Sequence, residues 1–383
     1  MTKHRFTKHR FRIIVPLIAA SLLAAACGSS DDDPSAEPSD SEVPAETTAS
    51  TDGDDVTTSE APQATDATDG PSEGPAELRV ALVLLGVKEE PWYSTMIESL
   101  DRAAEAQPHG LEISYEVLEN VDYAAGEPVA RDLSASGNYD MIIMHSTYSE
   151  AVAAVQDEFP DILYAFSGAG NEPTGKNGYW LNVYTHEPAY LSGIIAGMMT
   201  ETNKLGAVAA FPFPVVNSPL HSWIEGATSV NSGVEADVTY LESWFDPAKA
   251  REAAEAQVAA GADMLYAERF GPFEAALANE GVYAFGHFSN QNAVAPEVVL
   301  SSAEARWDPG LATLIDAWYE HMANGVPYDA PMEPLMYLMA EGGAEIVVSD
   351  LVPAEVADAV NDARDKIMSG ELVIEFNDAP IES

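Results

Sequence analysis

An α/β fold of two lobes, each a parallel sheet with helices on both faces, is predicted for residues 77–383, and three observations predict it. Short apolar runs such as RVALVLLG (79–86), MIIMHS (141–146) and ILYAFSG (162–168) are continuous rather than alternating, as strands buried on both faces are. Helix-spaced segments stand between them, and parallel strands need such crossovers. The alternation restarts after residue 203, and 307 residues exceed one comfortable core, so two sheets share the chain.

In chain order, the strand at 79–86 is ended by Gly86. WYSTMIESLDRAAEA (92–106) sets Met96, Ile97, Leu100 and Ala104 at helical spacing. LEISYEVLEN (111–120) alternates like a strand. AAGEPVARDLSASG (124–137) reads as a helix closed by Gly137. The strand at 141–146, a helix in SEAVAAVQDEF (149–159), and the strands at 162–168 and GYWLNVY (178–184) follow. EPAYLSGIIAGMMTET (187–202) is apolar nearly all round, so this helix must be buried, and a place between the lobes is expected. It is too short to span a bilayer.

The second run opens with KLGAVAAF (204–211), a strand, then NSPLHSWIEGATSVN (217–231), a helix. ADVTYLESW (236–244) is a strand that Trp244 ends. Asp246 is a good N-cap and Pro247 fits the first helical position of a helix that stops at Gly261. ADMLYAE (262–268), PFEAALANEG (272–281) and VYAFGHF (282–288) read strand, helix, strand. EVVLSSAE (297–304), a helix within 309–324, a helix from Val352 to Met368 begun by Pro353, and a final strand ELVIEF (371–376) complete the chain. The expected lobes are 77–185 with 303–335, and 186–302 with 336–383. The expected hinge is made of crossing strands near 184–187, 302–307 and 335–342.

Residues 1–27 are set apart from this fold. Lys3, Arg5, Lys8, Arg10 and Arg12 precede an apolar run from Ile13 to Ala26, and Cys27 follows. The run has the length of a signal-peptide core. LLAAAC resembles a bacterial lipoprotein cleavage site, with Ala24 where Leu is usual, so Cys27 is the expected lipid attachment point. It is the only cysteine, which excludes an intrachain disulfide and thiol catalysis. Residues 28–76 hold 14 acidic residues and no Lys or Arg, and they carry almost nothing large. Such a segment cannot offset its chain entropy and is expected to be a disordered tether.

The chain has 17 basic and 63 acidic residues. With the basic start and the tether set aside, −37 remains on 77–383. That charge excludes nucleic acid as a partner and disfavours direct binding to anionic lipid. No G-x-S-x-G, Walker loop or H-E-x-x-H occurs. The histidines beyond the start show no zinc spacing. SGAGN (167–171) reads as a glycine-rich turn, since it lacks the third glycine and helical continuation of a dinucleotide loop. Carboxylates are too numerous for a catalytic pair to be picked out from the sequence. No cofactor or metal is implied.

In open α/β sheets, ligands bind beyond the carboxyl ends of the strands. Aromatic residues recur at those ends: Trp92, Phe211 with Phe213, Trp244 and Phe288, with His145 and Tyr148 after MIIM. Flat rings brought together from two lobes suit a planar ligand. Either His145 or His287 could hydrogen-bond it. Glu268 and Asn290 are expected at its polar edge, because Asn offers both a donor and an acceptor. Tyr93, Ser146, Tyr184 and Trp307 complete the candidate set.

Three segments carry a family resemblance. SWFDPAKAREAAEAQVAAGAD (243–263) resembles the S-F/W-x-D-P-A-K…G-A-D signature of the basic membrane protein family, substrate-binding lipoproteins of ABC importers. EPAYLSGIIAGMMTETNKLGAVAAFPFPVVN (187–217) is similar to that family's E-G-S-Y-L-A-G…T-K-x-G-x-V-G-G…P segment, and VYAFGHFSNQNAVAPEVVLSS (282–302) to its I-G-V-D-x-D-Q…V-L-T-S segment. The resemblance implies a periplasmic-binding-protein type I fold, a purine-type ligand, ABC permease subunits as partners, an extracytoplasmic lipid-anchored location, and no catalysis; a monomer is the default expectation. It places the base-stacking aromatic on Trp244 and the first-loop aromatic on Trp92 or Tyr93. The family's Asp, implied to hold a ribose hydroxyl pair, falls on Phe288, and a later Asp falls on Asn290. A Lys falls near Ala305, with Arg306 beside it. Those departures imply a free base, adenine-like, rather than a nucleoside. An extracellular nucleoside-processing enzyme and a sensory protein for a sugar or other small ligand are the alternatives.

Overall fold

The computed structural model describes residues 74–381. The signal run, Cys27 and residues 28–73 of the expected tether lie outside the described residues. The first lobe opens with β1 (Glu77–Leu84), α1 (Pro91–Ala106), β2 (Glu112–Leu118), α2 (Tyr123–Ser136), β3 (Met141–His145), α3 (Ser149–Val155), β4 (Leu163–Ser167) and β5 (Gly178–Val183). The second holds α4 (His186–Met199), β6 (Lys204–Ala209), α5 (Pro214–Val230), β7 (Glu235–Tyr240), α6 (Pro247–Ala259), β8 (Met264–Ala267), α7 (Pro272–Ala278), β9 (Tyr283–Phe288) and β10 (Val299–Ala305). The chain then returns for α8 (Asp308–Asn324) and β11 (Leu335–Tyr337), and ends with β12 (Ala344–Val348) and α9 (Ala354–Met368).

Two six-stranded sheets result, in the orders β11-β5-β4-β3-β1-β2 and β12-β10-β9-β8-β6-β7. The α/β class with two sheets is the one expected. The pairs are parallel except β10 with β12. The first core gathers Leu78, Leu82, Met96 and Ile143 with Trp307, Leu314 and Trp318 from the returning chain. Trp223, Tyr266 and Phe285 anchor the second. Each fully buried large apolar side chain contributes about 1.5–3 kcal/mol relative to exposure.

Four details depart from expectation. The apolar helix α4 is buried as predicted, but inside the second lobe, against α5. Gly193 and Gly226 let the two backbones touch: a Cβ on Gly193 would lie 2.1 Å from the carbonyl oxygen of Trp223. ELVIEF forms no strand. Leu372 and Ile374 pack on the second core without pairing to a sheet, and Phe376 leans on Tyr184 and His186. β12 was not foreseen, since an edge strand of five residues behind Gly342 and Gly343 carries little pattern. Finally, β7 stops at Tyr240, so Trp244 stands in the following loop and does not end a strand.

The chain crosses between lobes at 184–185, 306–307 and 338–343. Within the expected hinge ranges, residues 302–305 and 335–337 belong to the strands β10 and β11. Hydrogen bonds from backbone N–H groups tie the crossings together. Arg306 donates its N–H to Gly343 O (2.9 Å), and Met339 donates to Glu187 Oε2 (2.8 Å).

Candidate ligand-binding site

Loops beyond the carboxyl ends of strands in both sheets line one cavity of about 710 Å³, a volume typical of small-molecule pockets. The first lobe supplies Gly86 after β1, Trp92 and Tyr93 on the first turn of α1, Ser146 after β3 and Gly168 after β4. The second supplies Phe213 after β6, Trp244 and Phe245 after β7, Glu268 and Arg269 after β8, and His287 and Phe288 at the end of β9.

Trp92 lies flat on His145, with centroids 5.3 Å apart and planes 8° apart, and meets Trp307 edge-on at 5.2 Å. His145 is fully buried. Its Nδ1 lies 2.7 Å from Ser167 Oγ and its Nε2 2.9 Å from Trp92 O. Burial pushes its pKa down to about 4, so it stays a neutral platform. Gly168, at φ +84°, leaves room for the indole: a Cβ there would come within 3.1 Å of it. The adjoining glycine turn is pinned by Asn171, whose Nδ2 donates to Ser167 O (2.8 Å) and Gly168 O (3.1 Å) and whose Oδ1 accepts from Ser149 N (2.9 Å).

Phe288 belongs to the second sheet but reaches the first lobe's core and tilts against Trp92 at 5.2 Å. It does so with φ at +64°, in the left-handed region that bulky residues avoid. Strain of this kind gathers at functional sites.

Trp244 packs on Phe211 at 5.1 Å and on Phe213 at 5.8 Å, and the Arg269 guanidinium sits 5.6 Å from its ring centroid. Trp244 is 46% exposed, Phe213 48% and Phe245 60%, so large rings face open space. The sequence holds them there through the cap that follows. Asp246 Oδ1 accepts from Lys249 N (3.0 Å) and Pro247 occupies the first turn of α6, which fixes the loop just before it.

The polar groups are mostly engaged. Glu268 is buried and accepts from Ala210 N (2.8 Å) and Arg269 Nε (2.9 Å). Arg269 Nη1 donates to Trp244 O (3.0 Å). Gln291 Oε1 accepts from His287 N (2.9 Å). Glu90 is half-buried, and desolvation raises its pKa. Among the described residues no group of three or more His, Cys, Asp or Glu could hold a metal ion.

Of the candidates, Trp92, Tyr93, Ser146, Phe213, Trp244, Glu268, His287 and Phe288 line this cavity together. Phe211 stands behind Trp244 and Phe213 without lining it. Trp307 lies beneath Trp92, and its Nε1 donates to Thr95 Oγ1 (3.1 Å). Tyr148 turns inward onto Gly126, and its hydroxyl donates to Val121 O. Tyr184 packs on Phe376, away from the lining. Asn290 is exposed and accepts from Asn292 N (3.2 Å), while its neighbour Gln291 reaches the site. Tyr123, Phe245, Arg269 and Gln291 are lining residues outside the candidate set. Tyr123 and Phe245 carry the same signal that marked Trp92, an aromatic just after a strand.

A family model described as ABC transporter substrate-binding protein PnrA-like matches residues 79–378. A protein of Haloferax volcanii, provisionally named an ABC transporter glucose-binding protein, is 28% identical over 305 residues, covering 79% of this chain and 75% of its own. A purine-binding protein of Brucella abortus is 25% identical over 307 residues, covering 79% and 84%. Among solved structures, an ABC transporter solute-binding protein from Conexibacter woesei aligns with a TM-score of 0.64 and 22% identity over 78% of this chain and 98% of its own. At that identity the likeness speaks for the fold alone.

Proposed function

Because the chain belongs to the family of PnrA-like ABC transporter substrate-binding proteins, we propose that it captures a flat purine-type ligand between its lobes and delivers it to a permease for import. A free base such as adenine is favoured over a nucleoside. The observation that carries this reading is the convergence of Trp92 from one lobe and Trp244 from the other on a single cavity. Offset stacking on such rings contributes about 0.5–1.5 kcal/mol per pair beyond area burial.

Phe288 supports the preference for a base. It stands where the resemblance places an acid for ribose hydroxyls, and a phenyl ring accepts no hydrogen bond. A buried hydroxyl left unpaired costs about 1–3 kcal/mol. The glucose in the Haloferax relative's name gives a second reading, since sugars also stack on aromatic rings. A sugar needs several free acceptors and donors, however, and here Glu268, Arg269, Gln291 and Ser167 are already engaged within the protein. The work done is capture and release, with no bond made or broken.

Calorimetry with adenine, guanine, adenosine and glucose tests the proposal. Adenine is expected to bind at least about tenfold more tightly than adenosine, and Trp244→Ala to weaken adenine about tenfold. Tighter binding of adenosine or glucose would refute it.

The same proposal places the protein outside the cytoplasmic membrane, held by lipid at Cys27. Mass spectrometry of the membrane-extracted protein is expected to find an N-terminal diacylated cysteine at position 27. A mature chain starting elsewhere, or an unmodified Cys27, would remove the anchor.

A further inference from the structure

β8 and β9 run side by side, and across them the Tyr266 hydroxyl meets His287 Nδ1 at 3.0 Å. Both side chains are buried. The protons at this contact can be counted. Tyr266 is fully buried, and desolvation raises its pKa, so it keeps its phenolic proton. The one side-chain hydrogen bond it makes among the described residues is to His287 Nδ1. A buried hydroxyl proton goes to an available acceptor. Tyr266 is therefore the donor and Nδ1 the acceptor.

Burial, and next the charge of Arg269, hold His287 well below its ordinary pKa, so the ring is neutral and has a single proton. With Nδ1 bare, that proton sits on Nε2. Nε2 is buried and has no hydrogen-bond partner among the described residues. The nearest carboxylate oxygen, Glu268 Oε1, is 3.9 Å away, too far for a hydrogen bond. The groups packed around the ring are Tyr266, Glu268, Arg269, Phe288 and Gln291, and none accepts this proton. His287 is also part of the cavity wall. A buried donor left unpaired beside an open cavity is a device for recognition, because an incoming acceptor relieves it while a ligand without one leaves it desolvated.

We propose that His287 reads the ligand: its Nε2–H donates to an acceptor on the edge of the flat molecule held by the aromatic rings, and Tyr266 is the positioning residue that fixes the tautomer. For a purine, the acceptor is one of the ring nitrogens. This rests on the purine reading above and goes beyond it by naming the donor. It also gives a reason for two buried polar side chains in the middle of a sheet, where apolar residues would pack without the cost of desolvation.

The full chain is titrated with adenine and with its 1-, 3- and 7-deaza analogues, each of which replaces one ring nitrogen by C–H. Wild type is expected to bind one analogue about ten- to hundredfold more weakly than adenine. In His287→Phe, adenine and that analogue are expected to bind equally, and His287→Gln, which restores an N–H, to recover part of the difference. Because either variant could fail to fold, 15N–1H correlation on wild type supplies a second readout. Nε2 is expected to be protonated and Nδ1 bare, with the Nε2–H resonance moving on addition of adenine. Tyr266→Phe is expected to allow the other tautomer and weaken adenine while leaving stacking intact.

Adenine binding with no analogue discriminated, discrimination that survives in His287→Phe, or a wild-type ring protonated at Nδ1 would each overturn the inference and leave the purine reading standing. If none of the purines binds, the purine reading falls, and the assignment of the ligand's acceptor falls with it.

Discussion

Trp92 rests on a histidine that resists protonation, and this makes acid a probe of the site. His145 has an ordinary pKa near 6.5, pushed down to about 4 by burial. Between those values the unfolded chain binds a proton that the folded chain refuses. The stability conferred is complete above about pH 6.5 and is lost as the pH falls toward 4. The linkage amounts to about 3 kcal/mol. Thermal melts from pH 7 to 4.5 are expected to fall more steeply for wild type than for His145→Phe, and equal slopes would refute the assignment. At this scale the sequence was half legible. Trp92 and Trp244 were found because position after a strand is visible in a sequence. Tyr148 occupies the same kind of position but turns inward, because Gly126 on α2 leaves a hollow for its ring. Asn290 faces solvent while Gln291 lines the cavity, because the left-handed turn at Phe288 rotates the loop after β9, and a bulky residue gives no warning of such a turn.

Between elements, the closest contact is α4 on α5. Gly193 meets the backbone of Trp223 and Gly226 that of Tyr190, so neither glycine can carry a side chain without parting the helices. Gly193→Ala gains helix propensity of about 1 kcal/mol yet must move a backbone oxygen 2.1 Å away. Overpacking of this kind costs about 1–3 kcal/mol, and chemical denaturation is expected to show a net loss. Gly233→Ala, at an exposed site with nothing nearer than 3.4 Å, is expected to stay within about 0.5 kcal/mol of wild type. Equal stability of the two variants would show that the helices part freely. Apolarity all round α4 announced its burial but not its neighbour. The spacing of Gly193 and Gly197 was the available clue, since glycines one turn apart mark a close helix approach. The misreading of ELVIEF has a different cause. Alternating apolar residues at 372, 374 and 376 satisfy a strand pattern and equally a segment that lies across a core without sheet partners.

For the whole molecule, the two-sheet α/β architecture was legible because it rests on pattern repeated many times, and local errors do not accumulate. The crossings were legible only as neighbourhoods, since nothing in a sequence marks where one sheet yields the chain to the other. Capture by two lobes implies motion about 184–185, 306–307 and 338–343. Small-angle scattering is expected to give a smaller radius of gyration at saturating adenine than without it, and an unchanged radius with bound ligand would rule closure out.

The crossings also have a consequence for biosynthesis. Trp307 and Trp318 are cornerstones of the first core, and β11 is the edge strand beside β5. All three are translated after the second sheet from β6 to β10 is already made. The half of the protein that emerges first must therefore wait, with an apolar face uncovered, for segments that the ribosome supplies late. Neither half can finish folding before nearly all of the polypeptide has arrived.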